Sequence, residues 1–197
     1  MKRIAPLSLL AAFLSAPAGV AAPACHQAAA EPPRYLRTVR HYSPPDVTLV
    51  DQDGARVPLS KILEPGGPLA LNFIFTTCTT ICPVMTATFA GLRRKLGAEA
   101  ESLRMVSISI DPEHDRPATL KAYAARFHAP APWRFYTGSA EDVRAVMRAF
   151  DTFTGATSNH RPITLFRGAF EEDWVRLEGL ATAEQLAGEL HPPRAEK

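Results

Sequence analysis

The sequence shows no marked excess of either charge. Its 22 basic and 20 acidic side chains give a formal net charge of +2. Residues 1–24 contain Lys2 and Arg3 and no acidic residue, so that without this segment 20 groups of each sign would remain. A domain with balanced charge lacks the basic surface that nucleic-acid binding requires. The charge pattern therefore excludes nucleic acid as a partner, and a hydrophobic content of 46% argues against a disordered chain.

Long apolar runs are absent beyond the N-terminus. No later segment approaches the roughly 20 apolar residues that a membrane-spanning helix needs. The N-terminus combines a basic start, Met1–Arg3, with a mostly apolar stretch from Ile4 to Leu14 and small residues up to Ala24. This order is typical of an export signal. We expect residues 1–24 to be a signal peptide and the mature protein to be soluble in the bacterial periplasm.

Cysteine is scarce, with only Cys25, Cys78 and Cys82 in the chain. Cleavage after Ala24 would place Cys25 at the new N-terminus, where a lipid anchor is an alternative to a free thiol. The segment before Cys25 argues against lipidation, because it lacks a large aliphatic side chain three positions before the cysteine. Residues 25–44 are rich in alanine, proline and arginine without periodicity, and they predict a flexible arm. Membrane association is therefore expected only through the N-terminus.

Apolar periodicity predicts a folded domain over residues 45–191, followed by a polar tail over residues 192–197. The predicted strands are Val47–Val50, Val57–Leu59, Leu69–Phe75, Leu103–Ile110, Trp133–Tyr136, Ile163–Phe166 and Trp174–Leu177. The predicted helices are Cys78–Leu96, one that begins near Pro117, one capped by Ser139 and one capped by Thr182.

Strands that alternate with helices favour a mixed sheet covered by helices on both faces. The first two strands flank Asp51–Gly54, whose Asp-Gly pair is typical of a hairpin turn. The strand at Leu69–Phe75 is apolar at nearly every position and leads directly into the helix that carries two cysteines. We therefore predict an α/β fold, a thioredoxin-like sandwich related to the peroxiredoxins, with an N-terminal β-hairpin.

The segment after that strand, Thr76–Met85, is the most informative chemically. Cys78 and Cys82 are four positions apart, so that in a helical turn both sulfurs lie on one face. The carboxyl end of a strand is where α/β folds bind ligands, and a helix N-terminus favours thiolate over thiol. Two adjacent thiolates repel each other unless a metal ion or a disulfide bond joins them. The pair therefore predicts either soft-metal binding or a redox-active disulfide.

A purely structural role is the alternative for these cysteines. Exported proteins often carry stabilising disulfides, but a bridge that closes so short a loop removes little entropy from the unfolded chain. Burial of two unrelated cysteines in the core is the other structural interpretation. The short spacing favours a chemical role for the pair.

Two cysteines do not complete a metal site. Cu(I) is a soft ion that accepts two or three ligands, and thiolate and imidazole are both suitable. Among the six histidines, His160 is the best candidate, because it lies in a polar loop, Thr157–Pro162, that enters the strand at Ile163. In a thioredoxin-like sheet this loop lies beside the cysteine turn. The alternative is a solvated loop histidine.

Three stretches of the chain, taken together, point to a known family. Phe73–Pro83 places a Cys-x-x-x-Cys-Pro loop after a buried strand, Ser107–Asp115 ends a strand in Asp-Pro-x-x-Asp, and Asn159-His160 supplies a histidine. In this combination the chain resembles the Sco/SenC family of copper-binding, thioredoxin-like proteins, which assist assembly of the binuclear copper centre of cytochrome c oxidase. The likeness runs from about residue 45 to 190 and includes the hairpin at Asp46–Gly54.

The resemblance implies a trigonal Cu(I) site formed by the thiolates of Cys78 and Cys82 and the imidazole of His160. It implies a copper chaperone that receives copper from a periplasmic donor and delivers it to the copper-bearing subunit of cytochrome c oxidase. Whether Cu(II) is also bound stays open at this point, and zinc could use the same three ligands.

Asp111 and Asp115 lie at the same end of the predicted sheet. Their functional interpretation is support of the metal ligands or contact with a partner, and the structural alternative is turn formation and helix capping before Pro117. One departure from the family lies after His160, where the family usually shows an Asp-x-x-Gly turn and this chain reads Arg167–Phe170. Partner contacts at that hairpin therefore do not transfer from the family to this chain.

The same cysteines suit a second class of function, that of a thiol–disulfide oxidoreductase. One thiolate would attack the disulfide formed by the recipient's copper-ligand cysteines, the other would resolve the mixed disulfide, and an external thiol reductant would restore the pair. A third alternative is a peroxidase of the peroxiredoxin type, because Thr79 and Cys82 have its Thr-x-x-Cys spacing. His160 discriminates among these functions, since copper binding requires it and disulfide exchange does not.

Overall fold

The computed structural model describes residues 35–190. The predicted signal peptide, Cys25 and the predicted tail over residues 192–197 lie outside the described residues. Within the described part of the chain, no helix is long and apolar enough to cross a membrane.

Strands and helices alternate along the described chain, as the sequence predicts. The strands are β1 (Tyr35–His41), β2 (Thr48–Asp51), β3 (Arg56–Pro58), β4 (Leu69–Ile74), β5 (Arg104–Ser109), β6 (Trp133–Thr137), β7 (Ile163–Arg167) and β8 (Asp173–Gly179). The α-helices are α1 (Leu59–Ile62), α2 (Ile81–Leu96), α3 (Pro117–Arg126), α4 (Ala140–Ala149) and α5 (Ala183–Leu190). Two 3₁₀ turns, Gly97–Glu101 and Thr157–Asn159, complete the set for the described residues.

The described strands form one mixed sheet in the order β1-β8-β7-β4-β5-β6-β2-β3. β4, β5 and β6 are parallel to one another, whereas β7 pairs antiparallel with β4. Because β7 runs opposite to β4, the turn that leaves β4 lies beside the loop that enters β7. The topology therefore brings the cysteine turn and the His160 loop to the same edge of the sheet.

Two apolar cores cover the two faces of the sheet. Along β4, Leu71 and Phe73 face one core, which α4 covers, while Ala70 and Ile74 face the other, which α2, α3 and α5 cover. This alternation is the period of an extended strand buried on both sides. The arrangement confirms the predicted thioredoxin-like α/β sandwich.

The N-terminal boundary of the domain differs from the prediction. Residues 35–41, assigned to a flexible arm, form β1 and pair antiparallel with β8 along its whole length. Most side chains of β1 are exposed, and so the strand shows no hydrophobic period. Tyr35 and Arg37 also bind the carboxylate of Glu189 on α5, at 3.1 and 2.7 Å. Backbone pairing and these polar contacts, instead of apolar burial, hold the strand in place.

Two predicted helix caps are confirmed. At the start of α4, the hydroxyl of Ser139 accepts the N–H of Asp142 at 3.0 Å. At the start of α5, the N–H of Thr182 donates to the Gln185 side chain at 2.9 Å, and the N–H of Gln185 donates to the Thr182 hydroxyl at 3.2 Å. This reciprocal pair is a capping box, which satisfies N–H groups that the helix itself cannot.

Candidate metal centre

The cysteine-bearing turn connects β4 to α2. The helix begins at Ile81, not at Cys78 as predicted, so that Cys82 lies in its first turn and Cys78 lies before it. The N–H of Cys78 donates to the carbonyl of Phe75 at 3.3 Å. Threonine dominates the segment Thr76–Thr80, and this β-branched residue has low helix propensity, which accounts for the late start of the helix.

The two cysteines are in contact without a disulfide bond between them. The N–H of Cys82 donates to Sγ of Cys78 at 3.5 Å, and Oγ1 of Thr80 lies 3.7 Å from the same sulfur. The Cys82 N–H belongs to the first turn of α2, where N–H groups have no partner within the helix. The positive end of the helix is therefore directed at the Cys78 sulfur, where it favours a thiolate.

The two thiols differ in exposure and in pKa. Cys78 is partly exposed, whereas Cys82 is fully buried. Burial opposes ionisation of Cys78, but hydrogen bonds from Cys82 and Thr80 outweigh it and lower the pKa of Cys78 below its ordinary value. Burial raises the pKa of Cys82 to about 12, and the neighbouring Cys78 and Asp115 contribute to the rise. Cys78 is thus the thiol that ionises first and meets solvent.

His160 lies at the end of the loop that leads into β7, and its side chain is buried. Its Nε2–H donates to the backbone carbonyl of Phe73 at 2.9 Å, which leaves Nδ1 as the unprotonated nitrogen of the neutral ring. Burial lowers the pKa of His160, although the hydrogen bond to Phe73 opposes this effect. A neutral imidazole whose second nitrogen is fixed by a carbonyl is the form in which histidine binds metal ions.

Cys78 and His160 line the same cavity, which has a volume of about 250 Å³. Phe75 forms part of its wall and meets the imidazole edge to face, with 6.1 Å between ring centroids. Cys82 contacts Cys78 instead of lining the cavity. Among residues 35–190, no three histidine, cysteine or carboxylate side chains lie close enough together to hold a metal ion. The structure therefore brings the two cysteines into contact and places Cys78 and His160 on one cavity, without closing all three around one point.

Asp115 is fully buried and fixes the start of the cysteine turn. Its carboxylate accepts hydrogen bonds from the N–H of Thr76 at 3.1 Å, from the Thr76 hydroxyl and from the Ser109 hydroxyl at 2.5 Å. Thr76 lies two residues before Cys78. The side chain of Asp115 does not cap α3, where no side-chain cap is present. It instead joins β5 to the turn that carries the exposed thiol.

Asp111 has a different environment. Its carboxylate lies 3.0 Å from Nδ1 of the exposed His114, and this hydrogen bond raises the pKa of His114. Its backbone carbonyl accepts the N–H groups of His114 and Asp115, at 3.2 and 2.9 Å. Asp111 therefore forms the turn between β5 and α3, which is the structural alternative considered for it above. None of these contacts joins Asp111 to a cysteine.

Sequence reasoning missed Thr76 and Ser109 as the partners of Asp115. A hydroxyl side chain in a strand that is otherwise buried, such as Ser109 in β5, is a signal that a polar partner lies within the core. That signal was present in the sequence. The identity of the partner was not, because Thr76 and Asp115 are 39 positions apart.

Comparison with known proteins gives a consistent result. The SCO1/SenC family model matches residues 40–165. A SCO1 protein homolog of Bacillus subtilis is 40% identical over 102 residues, which are 51% of this chain and 52% of that protein. The mitochondrial SCO2 homolog of Mus musculus is 32% identical over 113 residues, which are 56% of this chain and 43% of that protein. The matched stretch thus spans about half the length of these relatives.

Solved structures show the same fold. BsSco is a member of the Sco family of cytochrome c oxidase assembly proteins and has a disulfide switch. It superposes on this chain with a TM-score of 0.65 at 28% identity, and the aligned part covers 79% of this chain and 95% of BsSco. ScoI of Bradyrhizobium japonicum, solved with copper bound, gives a TM-score of 0.59 at 23% identity over 75% of this chain and 96% of that one.

Proposed function

This chain belongs to the SCO1/SenC family, and from that membership and the geometry of its dithiol we propose that it is a copper chaperone. Cys78, Cys82 and His160 would bind one Cu(I) ion, which the chain delivers to the copper-bearing subunit of cytochrome c oxidase. The copper would come from a donor in the same compartment. We propose that this compartment is the bacterial periplasm, with any membrane attachment through the N-terminus.

The observation that carries the proposal is that a low-pKa thiol and a neutral imidazole line one cavity, and that a second thiol contacts the first. Two sulfurs and one nitrogen form a soft ligand set that suits Cu(I) in three-coordinate geometry. Zinc prefers four ligands, and a site with three protein ligands leaves its fourth position open to water. The bound copper of the Bradyrhizobium structure, in the same fold, supports the choice of copper.

Transfer would proceed by exchange of thiolate ligands. A cysteine of the recipient forms a new Cu–S bond, and the bond from copper to the more exposed Cys78 breaks. The proton released by the recipient's thiol can be taken up by the freed Cys78 thiolate, and the copper ion stays Cu(I) throughout. Because Cys82 and His160 are buried, they would hold the ion until the recipient supplies its second ligand.

A competition titration tests this proposal. The reduced full chain is titrated with Cu(I) against a chromophoric Cu(I) chelator, and the single variants Cys78→Ser, Cys82→Ser and His160→Ala are compared with it. Loss of a ligand-supporting residue alone costs about 10–100-fold in affinity, and loss of a ligand should cost at least as much. His114→Ala is the matched control, because this exposed histidine contacts Asp111 and should leave Cu(I) affinity unchanged. If all four variants bound Cu(I) with the affinity of the unsubstituted chain, the proposed site would be refuted.

The second candidate function is reduction of the recipient's cysteines, and the asymmetry of the two thiols favours it. The Cys78 thiolate would attack one sulfur of the recipient's disulfide and release the other as a thiolate, Cys82 would then attack the Cys78 sulfur of the mixed disulfide, and the recipient would leave with two thiols. The chain would then carry a Cys78–Cys82 disulfide, which a thiol reductant would reduce back to two thiols while being oxidised itself. His160→Ala separates the two functions, because it should weaken copper binding and leave disulfide exchange largely intact.

The peroxidase alternative finds little support in the geometry. Its reactive thiol would be Cys82, which follows Thr79 at the required spacing. Cys82 is buried and its pKa is raised to about 12, whereas a peroxidatic cysteine must be an accessible thiolate. We expect no turnover of hydrogen peroxide above that of a Cys82→Ser variant.

A further inference from the structure

The loop that carries His160 is fastened near both ends by a pair of charged residues, the buried Arg176 and the partly buried Glu178. It runs from the end of α4 to the start of β7, over residues 150–162. On the neighbouring strand β8, Arg176 contacts the first two residues of this loop and Glu178 contacts Arg161 near its end. Among the contacts between described residues, none joins either side chain to the cysteine turn.

Arg176 holds the beginning of the loop. Its guanidinium group is buried, and it donates to the carbonyl of Phe150 at 3.0 Å and to the carbonyl of Asp151 at 3.1 Å. These carbonyls follow the last turn of α4, where the helix leaves them without backbone partners. Asp151 has a φ of 53°, a left-handed conformation in which the chain turns away from the helix. The guanidinium thus fixes the point and direction from which the His160 loop departs.

Glu178 holds the end of the loop. One of its carboxylate oxygens accepts from Arg161, the residue after His160, and the other lies 3.3 Å from the Arg176 guanidinium. The backbone adds a further bond, because the N–H of Gly179 donates to the carbonyl of Pro162 at 2.8 Å. A chain of ionic hydrogen bonds therefore runs from the start of the loop to the residue beside His160. Hydrogen bonds between charged groups are in general stronger than neutral ones.

The start of the loop is also coupled to the carbonyl that orients the imidazole. The ring of Phe150 packs against the ring of Phe73, with 6.1 Å between centroids, and the Phe73 carbonyl is the acceptor for His160. A shift of Phe150 would therefore move the loop origin and the wall on which His160 rests. Tyr42, whose hydroxyl lies 3.4 Å from Arg176, also packs against Phe150, with 5.1 Å between ring centroids.

We propose that Arg176 is a positioning residue for metal binding, which acts by fixing the loop so that His160 reaches the ion held by the two cysteines. This inference rests on the proposed function, since it assigns His160 as a ligand. It attributes no contact with copper to Arg176 itself. The role is distinct from stabilisation in general, because it acts only through His160.

The test is a double-mutant comparison on the reduced full chain. Arg176→Met keeps the aliphatic stem and removes the hydrogen bonds, and we expect it to weaken Cu(I) binding by about 10-fold, within the range of outer-shell substitutions. In a His160→Ala background the same substitution should cause no further loss. X-ray absorption of the Cu(I)-loaded variant should show a reduced imidazole contribution with both sulfur neighbours retained.

Matched variants separate positioning from folding. Arg167→Met removes another partly buried arginine, which contacts the carbonyl of Leu63 and the ring of Trp174 instead of the loop, and should leave Cu(I) affinity unchanged. Glu178→Gln is the milder change, and should weaken binding in the same direction by less than Arg176→Met. In the copper-free protein, Arg176→Met should speed amide hydrogen exchange over residues 151–160.

The outcomes that overturn the inference are specific. Wild-type affinity and an intact imidazole signature in Arg176→Met, with only a lower melting temperature, would reduce Arg176 to a structural residue. An equal loss in the presence and absence of His160 would show that Arg176 does not act through it. If Arg176→Met fails to fold, unchanged affinity in Glu178→Gln overturns the proposal. If His160→Ala itself binds Cu(I) normally, the ligand assignment fails first, and this inference fails with it.

Discussion

The carboxylate of Asp115 accepts both the backbone N–H and the hydroxyl of Thr76, a residue 39 positions earlier in the chain. Thr76 begins the turn that carries Cys78, while Asp115 follows β5 and also binds Ser109 on that strand. The bond therefore fixes the cysteine turn to the neighbouring strand. It is the most direct link between the Asp-Pro-x-x-Asp segment and the candidate metal centre.

The first prediction concerns this bond. Asp115→Ala leaves the N–H of Thr76 and two hydroxyl groups without their charged acceptor, and should lower the free energy of unfolding by about 3 kcal/mol. It should also weaken Cu(I) binding, because the turn before Cys78 loses its anchor. Chemical denaturation and chelator competition measure the two effects. Asp111→Ala is the control, since that carboxylate contacts the exposed His114, and an equal loss of stability there would contradict the account.

The second prediction concerns the order in which the thiols react. In a reduced Cys25→Ser chain, iodoacetamide should modify Cys78 well before Cys82, because Cys78 is partly exposed and its pKa is lowered, whereas Cys82 is buried and its pKa is raised to about 12. Cys78 should still react with iodoacetamide at a pH at which an ordinary thiol reacts only slowly. Peptide mass spectrometry after timed quenching measures both rates. Comparable rates for the two cysteines in the folded protein would contradict this difference in exposure and pKa.

The third prediction concerns the acid limit of stability. Burial opposes ionisation of Asp51, but hydrogen bonds from the N–H groups of Ala55 and Asp53 and from Arg134 outweigh it and lower the pKa of Asp51. A carboxyl whose pKa is lower in the folded state contributes stability above its unfolded pKa of about 4 and loses it as pH falls through the folded value.

Asp51→Asn should therefore destabilise the protein by about 2 kcal/mol at pH 7, and the difference from the wild type should shrink progressively below about pH 4. Urea denaturation at a series of pH values measures it. The exposed Asp46 provides the control, and Asp46→Asn should change stability little at any pH. A loss of unfolding free energy in Asp51→Asn that stays constant down to pH 2 would contradict its attribution to the lowered pKa of Asp51.

The fourth prediction concerns the remaining cysteine. Cys25 lies outside the described residues, and the proposed site is complete with two sulfurs and one imidazole. A Cys25→Ser protein should therefore bind as much copper per chain as the wild type, as measured by metal analysis after gel filtration. A fall to half would reveal a second site, for which the adjacent His26 would be the first candidate.

The parts of this fold that the sequence predicts are those whose stability comes from apolar burial or from local capping. β4 is buried on both faces, and α5 starts with a capping box whose two members are three positions apart, so that both leave a local pattern. β1 leaves none, because its side chains are exposed and its stability comes from pairing with a strand more than a hundred residues away.

In the candidate site, too, some features could be predicted from the sequence and others could not. The adjacency of the cysteine turn and the His160 loop could be predicted from the thioredoxin-like fold, and the structure gives its cause, the antiparallel pairing of β7 with β4. The late start of α2 depends on the threonines of the turn, and the helix prediction missed it. The bonds from Asp115 to Thr76 and from Arg176 to Phe150 join distant segments, and only the folded chain shows them.

The central claim is that Cys78, Cys82 and His160 bind Cu(I) together, and copper K-edge X-ray absorption on the reduced, loaded chain tests it most directly. We predict one copper per chain, an edge typical of three-coordinate Cu(I), two sulfur neighbours and one imidazole nitrogen. The nitrogen should disappear in His160→Ala, and one sulfur in Cys78→Ser. A spectrum without sulfur neighbours would contradict the claim and leave a dithiol protein whose cysteines serve another purpose.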